Sequence, residues 1–226
     1  MKTTIFLFIS LATFNLFGQD TLTTEEFNNR GEDLNGKFIV LGFQSKSTIN
    51  DGADTTIKIS PITYYRIGEL KQGKQQGVWE SYEIGNGSDT LFWRSVYQND
   101  TLISSAQYYS NGNMKSRKKY IDGRLVSSEI FLTNGRKYIE QQFTDCKKEY
   151  SDFEAVEIGY YGNGKLKYVG KMKCINRKVT YYDNWYYYSD QGELFKILKH
   201  FDNQPPEIEL YKIKGNYYEW YDEIEK

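Results

Sequence analysis

Tyr108-Tyr109-Ser110-Asn111-Gly112, then Tyr120-Ile121-Asp122-Gly123, then Phe131-Leu132-Thr133-Asn134-Gly135: the reading of this stretch decides the fold. Its glycines, Gly112, Gly123 and Gly135, lie 11 and 12 residues apart, each behind an Asn or Asp and three or four residues after an aromatic ring. Asn-Gly and Asp-Gly are strong hairpin signals because tight hairpin turns require positive φ, which Gly adopts freely and Asn or Asp adopts at low cost. Such an interval leaves roughly seven or eight residues per strand. Consecutive turns then fall alternately on the two edges of a meander.

Stepping outward by the same interval reaches Asp100 behind Tyr97 on one side and Cys146 behind Phe143 on the other. The pattern continues at Gly164 in Tyr161-Gly162-Asn163-Gly164, at Asn176, at Gly192 behind Tyr188, and at Asn203. Two steps are longer, 18 residues from Cys146 to Gly164 and 16 from Asn176 to Gly192. The first implies an inserted loop from Asp145 to Val156. Composition agrees with sheet: 21 Tyr, 13 Phe and 4 Trp stand against Ala at positions 12, 53, 106 and 155 only. Aromatic rings suit a pleated surface, and Ala is the strongest helix former.

A second register places Trp three residues before Tyr, in Gly77-Val78-Trp79-Glu80-Ser81-Tyr82 and Trp185-Tyr186-Tyr187-Tyr188. Gly-x-Trp-x-x-Tyr alternating with Tyr-x-x-Asn-Gly-x-Leu resembles the MORN-repeat-variant family, whose bacterial members are often catalogued as YwqK-like antitoxins. The resemblance covers residues 64 to 203. It implies an all-β fold of tandem antiparallel hairpins, forming an elongated, twisted single-layer sheet with rings along one face. The expected organisation is a secretory leader (1–19), a polar segment with capping strands (20–63), the repeats (64–204) and a capping hairpin (205–226).

The leader reading rests on Lys2, the apolar run Ile5 to Phe17, and the small or polar residues Gly18 to Thr21. Cleavage near Gln19 would export the chain to the periplasm, the cell surface or the medium. It would leave 28 bases against 30 acids, from 29 and 30 in the full chain less Lys2. A near-neutral surface offers no general attraction to nucleic acid.

Candidate chemistry is sparse. His200 is the single His, which excludes sites built on two imidazoles. The acids Glu149, Asp152, Glu154 and Glu157 suggest a paired-carboxylate hydrolase or a solvated loop, and the loop is the better reading. Lys115, Arg117 and Lys119 alternate with Lys118 and read as charge on a strand. The richest feature is a ladder of rings, Trp79, Tyr82, Trp93, Tyr97, Tyr109, Tyr120, Tyr161, Trp185 and Tyr188, which either binds a ligand or forms the small core of a thin sheet.

Cys146 and Cys174 sit near one edge. An undistorted lattice holds them about 9.5 Å apart, beyond disulfide reach, but slack in the long step favours a structural disulfide. The sequence thus leads to the expectation of a non-enzymatic exported scaffold. No cofactor or metal is expected, and no transmembrane segment in the mature chain. Its partner is expected to be another protein or an envelope polymer, not nucleic acid. An antitoxin or immunity-like inhibitor is the second reading, and a hydrolase the third.

Overall fold

The computed structural model describes residues 20–42, 46–51, 54–59, 62–148, 152–201 and 205–210. The expected leader, the turn at Asn203 and the second half of the terminal hairpin lie outside the described residues. An N-terminal region contains β1 (Asp20–Leu22), α1 (Thr24–Asn28), β2 (Gly36–Leu41), β3 (Lys46–Asp51) and β4 (Asp54–Ile59). The lattice follows as β5 (Tyr64–Lys71), β6 (Lys74–Glu83), β7 (Thr90–Gln98), β8 (Thr101–Tyr108), β9 (Met114–Ile121) and β10 (Arg124–Phe131). It continues through β11 (Lys137–Lys148), β12 (Asp152–Tyr160), β13 (Leu166–Ile175), β14 (Lys178–Tyr188), β15 (Leu194–His200) and β16 (Glu207–Leu210).

The all-β expectation holds. Fourteen strands form one open sheet in the order β1, β2, then β5 through β16, and β3 pairs with β4 as a separate hairpin. Every pairing in the large sheet is antiparallel except β1 with β2.

The two edges use different turns. On one edge Gln72-Gly73, Asn99-Asp100, Asp122-Gly123 and Asn176-Arg177 each have positive φ at both residues. They close directly on the pairs Lys71–Lys74, Gln98–Thr101, Ile121–Arg124 and Ile175–Lys178. These are the two-residue turns whose twist matches that of the strands. On the opposite edge, Gly112, Gly135, Gly164 and Gly192 end three-residue turns. The N–H of each glycine donates three residues back, to Tyr109, Leu132, Tyr161 and Ser189, at 2.8–2.9 Å. Asn111, Asn134 and Asn163 brace their turns by accepting from the N–H two residues on, each at 3.0 Å.

Cys146 is not a turn, and Asp145 to Val156 is not an inserted loop: β11 runs through Cys146 to Lys148, and β12 begins at Asp152. The 18-residue step is absorbed by longer strands, because extended pairing satisfies backbone groups that a loop would leave to solvent. Simple alternation also fails in β10. The register slips between Leu125 and Ser127 opposite β9, so Leu125 shares a face with Ser128 and Ile130.

Directly opposed residues share a face, so the register carries one face from Trp79 through Ser95, Ser105, Lys118, Ser128, Gln141 and Glu157 to Gly170. Two glycines make room on this tryptophan face. A Cβ at Gly68 would collide with the Trp79 indole, and one at Gly170 with the Trp185 indole. Each glycine sits at a register slip, between Ile67 and Glu69 and between Val169 and Lys171. Each lets a ring lie across the neighbouring strand.

Apolar side chains on this face form two clusters. One holds Phe27, Phe38, Val40, Leu70 and Trp79, with Phe27 of α1 edge-on to Trp79 at 5.3 Å. The capping box of Thr23 and Glu26 fixes the start of that short helix. The other holds Tyr120, Leu125, Phe143, Cys146, Phe153, Ala155, Met172, Cys174 and Trp185.

The expected disulfide is also corrected. Phe153 pairs with Cys146 on one side and Cys174 on the other, so the cysteines stand two strand spacings apart, about 9.5 Å. Bridged Cα atoms must approach to roughly 4.4–6.8 Å. Both cysteines are buried in the core.

Thiol labelling of the unfolded, unreduced protein should find two reactive groups per chain, and none would indicate a bridge. Gly170→Ala should destabilise by about 1–3 kcal/mol through overpacking against Trp185. In denaturant titrations it should be paired with Gly162→Ala, where a Cβ meets nothing within 4 Å and the change should stay within about 0.5 kcal/mol.

Candidate functional site

The sequence nominates a ladder of nine rings, and the structure divides it. Trp79, Trp93, Tyr97, Tyr120 and Trp185 share the tryptophan face, where Trp79, Tyr120 and Trp185 are buried. Tyr82 is on the opposite face, stacked on Tyr65 at 5.4 Å and donating to Glu80 at 2.9 Å. Tyr109 and Tyr161 are edge clamps. Their hydroxyls donate to the carbonyls of Phe131 (2.9 Å) and Tyr188 (2.7 Å), tying turns on the same edge together. Lys115 and Lys167 stand over these two rings at 5.9 and 5.7 Å, six residues downstream in each case. The backbone of Tyr188 therefore serves as an acceptor in this chain of turns.

The opposite face carries the charge. Glu80, Arg94, Ala106, Arg117, Glu129 and Glu140 are successive opposed residues across β6 to β11. Arg94 pairs with Glu80 at 3.0 Å, and Arg117 with Glu129 at 2.5 Å. The like charges of Glu129 and Glu140 stand directly opposite each other, and the Lys137 ammonium bridges them at 2.7 and 2.8 Å. Burial opposes the Glu129 charge, but hydrogen bonds from Lys137 and Arg117 outweigh it and hold the carboxyl below its usual range. Hydrogen bonds from Lys137 and Gln142 likewise lower Glu140. Burial opposes the charge of Lys137 too, yet its bonds to Glu129 and Glu140 raise it.

Of the acids read as a loop, Asp152, Glu154 and Glu157 lie in strand β12 and do not converge, and Glu149 lies outside the described residues. Glu154 is exposed, opposed to Lys173 on the charged face, whereas Glu157 belongs to the tryptophan face. There the Glu157 carboxylate accepts from Gln141 Nε2 at 2.7 Å and from the Tyr168 hydroxyl at 3.0 Å. Tyr168 stands over Gly159. It is tilted against Trp185 at 5.6 Å and Tyr187 at 6.0 Å. Burial and the Glu157 charge push the Tyr168 hydroxyl well above its ordinary value, and burial pushes Tyr187 up to about 12.

Gln141, Glu157, Tyr168 and Tyr187 thus form a connected polar and aromatic node on this face. Of these, the sequence reading took Glu157 as a candidate, in a loop, and met Tyr187 only inside the motif Trp185-Tyr186-Tyr187-Tyr188. The legible signal was the mid-strand glycines Gly159 and Gly170, which mark close approach by a ring.

His200 lies against Tyr181 at 6.0 Å and Trp185 at 6.5 Å, and burial lowers its pKa. Among the described residues no three His, Cys, Asp or Glu side chains are grouped to hold a metal. No helix among them is long and apolar enough to cross a membrane.

No family model matches the chain, and no solved structure matches it. A curated relative is the CRISPR system aCascade subunit Cas5 1 of Saccharolobus solfataricus, 21% identical in an alignment that covers 67% of this chain and 83% of that protein. This likeness overturns the expected exported scaffold and antitoxin-like inhibitor, together with the secreted character attached to them.

Glu129→Gln should cost about 1–3 kcal/mol at neutral pH, toward the lower end because Arg117 and Lys137 are partly solvated. Since the folded pKa of Glu129 is lowered, its contribution is complete above the ordinary glutamate value. It is lost as pH falls through that value and the folded one. Denaturant titrations of both proteins should therefore differ at pH 7 and converge in acid.

Proposed function

We propose that this chain is a non-enzymatic subunit of a CRISPR-associated protein assembly. The observation that carries the reading is the likeness to a Cascade subunit along 83% of that subunit's length. The geometry is compatible with it. The hollow bounded by Leu22, Glu25, Arg30 and Leu34 is open to solvent, as is the one bounded by Lys37, Ile67, Gly68 and Glu80. Neither offers the enclosed, water-excluding geometry on which catalytic electrostatics depend. The principal acids of the charged face are engaged with Arg94, Arg117 and Lys137, and the single His packs against rings. Broad sheet faces of this kind favour macromolecular contact over small-molecule turnover. The resemblance to MORN-variant repeats enters this reading as architecture alone.

The test is affinity purification of the tagged chain from its own cells, expressed from its own locus, followed by size fractionation and mass spectrometry. The chain should elute well above its own 26.6 kDa, together with other CRISPR-associated proteins, and the large species should vanish when their genes are deleted. Elution alone, or in a complex indifferent to that deletion, overturns the proposal.

A further inference from the structure

The two faces treat their carboxylates differently. On the charged face Glu80, Glu129 and Glu140 are neutralised within the chain by Arg94, Arg117 and Lys137. On the tryptophan face Glu157 is held by two uncharged donors, Gln141 and Tyr168. Its directly opposed neighbours, Gln141 and Gly170, are neutral as well. The nearby Lys196 ammonium stands over the Tyr187 ring at 4.2 Å, and burial depresses it.

We propose that Glu157, flanked by Tyr168 and Tyr187, is a docking site for an arginine side chain on a basic segment of a protein partner. A carboxylate has about four lone-pair positions. Two are taken, which leaves acceptor capacity for a guanidinium. Arginine is the fitting cation because its planar fork meets a carboxylate with two hydrogen bonds and its face stacks on an aromatic ring. Tyr168 and Tyr187 provide half-buried rings of this kind, packed together beside the buried Trp185. The site is also prepared in advance. Tyr168 is fixed over Gly159, so its hydroxyl aims the carboxylate before any partner arrives. Pre-organised aromatic and charged anchors of this type carry most of the energy of protein interfaces. The partner's charge complements a face whose carboxylate is otherwise satisfied only by neutral groups. The inference rests on the assembly-subunit reading only in taking the partner to be a protein.

The test uses the full chain and an end-blocked Gly-Arg-Gly peptide, with a citrulline peptide as the uncharged control, read by Trp fluorescence and by amide shifts in β12 to β14. The arginine peptide should bind and the citrulline peptide should not. Glu157→Gln should weaken binding at least tenfold, and Tyr168→Phe, which keeps the ring and removes the hydroxyl, should weaken it several-fold. Circular dichroism of both variants checks that the sheet is retained. Absent binding, equal binding of the two peptides, or unchanged affinity in Glu157→Gln overturns the proposal. So does binding of a uridine-rich RNA oligonucleotide at this face that Glu157→Gln strengthens, which would assign the face to nucleic acid. Peptide binding is read on the isolated chain and co-purification in cell extract, so either reading can fail while the other stands.

Discussion

Register is the constraint on which everything else in this molecule depends. In an open sheet a strand that slips by one residue carries its whole set of side chains to the other face, and among the described residues only a short helix beside Trp79 overlies the sheet to resist the slip. The turns must therefore fix each pairing. They do so by two chemistries, paired positive-φ residues on one edge and Asn-braced three-residue loops on the other. Because each turn type admits one closure, the serine row, the two tryptophan platforms and the Glu157 node all line up across strands far apart in sequence.

The segregation of chemistry between faces follows from this. Charged residues in β6 to β11 find partners across adjacent strands, where opposed side chains come within reach of one another. The result is a ladder of ion pairs bridged at its most repulsive point by Lys137. Such pairs contribute modestly where they are solvated, and their larger effect is on specificity, since a strand slipped by one residue would carry its charged side chains to the other face, away from their partners. The tryptophan face works by area and shape instead. It accommodates rings wherever a glycine on the next strand leaves clearance, and it tolerates one carboxylate because Gln141 and Tyr168 satisfy it.

The meander was legible in the sequence because its turns are local. Asn111-Gly112, Asp122-Gly123 and Asn134-Gly135 each specify their own conformation without reference to distant residues. The site was less legible because membership of a face depends on parity and on bulges. Trp79 and Tyr82 are three apart, which in a strand places them on opposite faces, although similarity of residue type groups them together. Leu125 joins Ser128 only through the slip at Val126. The pairing of Cys146 with Phe153 requires knowing that the 18-residue step is strand, and nothing local to Cys146 distinguishes a long strand from a strand with a loop. Tyr168 and Tyr187 acquire meaning only from the glycine and carboxylate opposite or diagonal to them.

The two kinds of turn also limit how such a chain can change in length over time. Deleting one strand with its turn would join two loops of unlike chemistry and invert which surface each later strand presents. Removal or duplication of two consecutive strands, about 23 residues here at roughly 11 or 12 per strand, keeps both edges and both surfaces in phase. Hairpin pairs are thus the natural unit of growth and loss. Each strand bonds chiefly to its immediate neighbours, as in other linear arrays, so an added pair stabilises itself against the pair beside it. The molecule can lengthen without redesign of its middle.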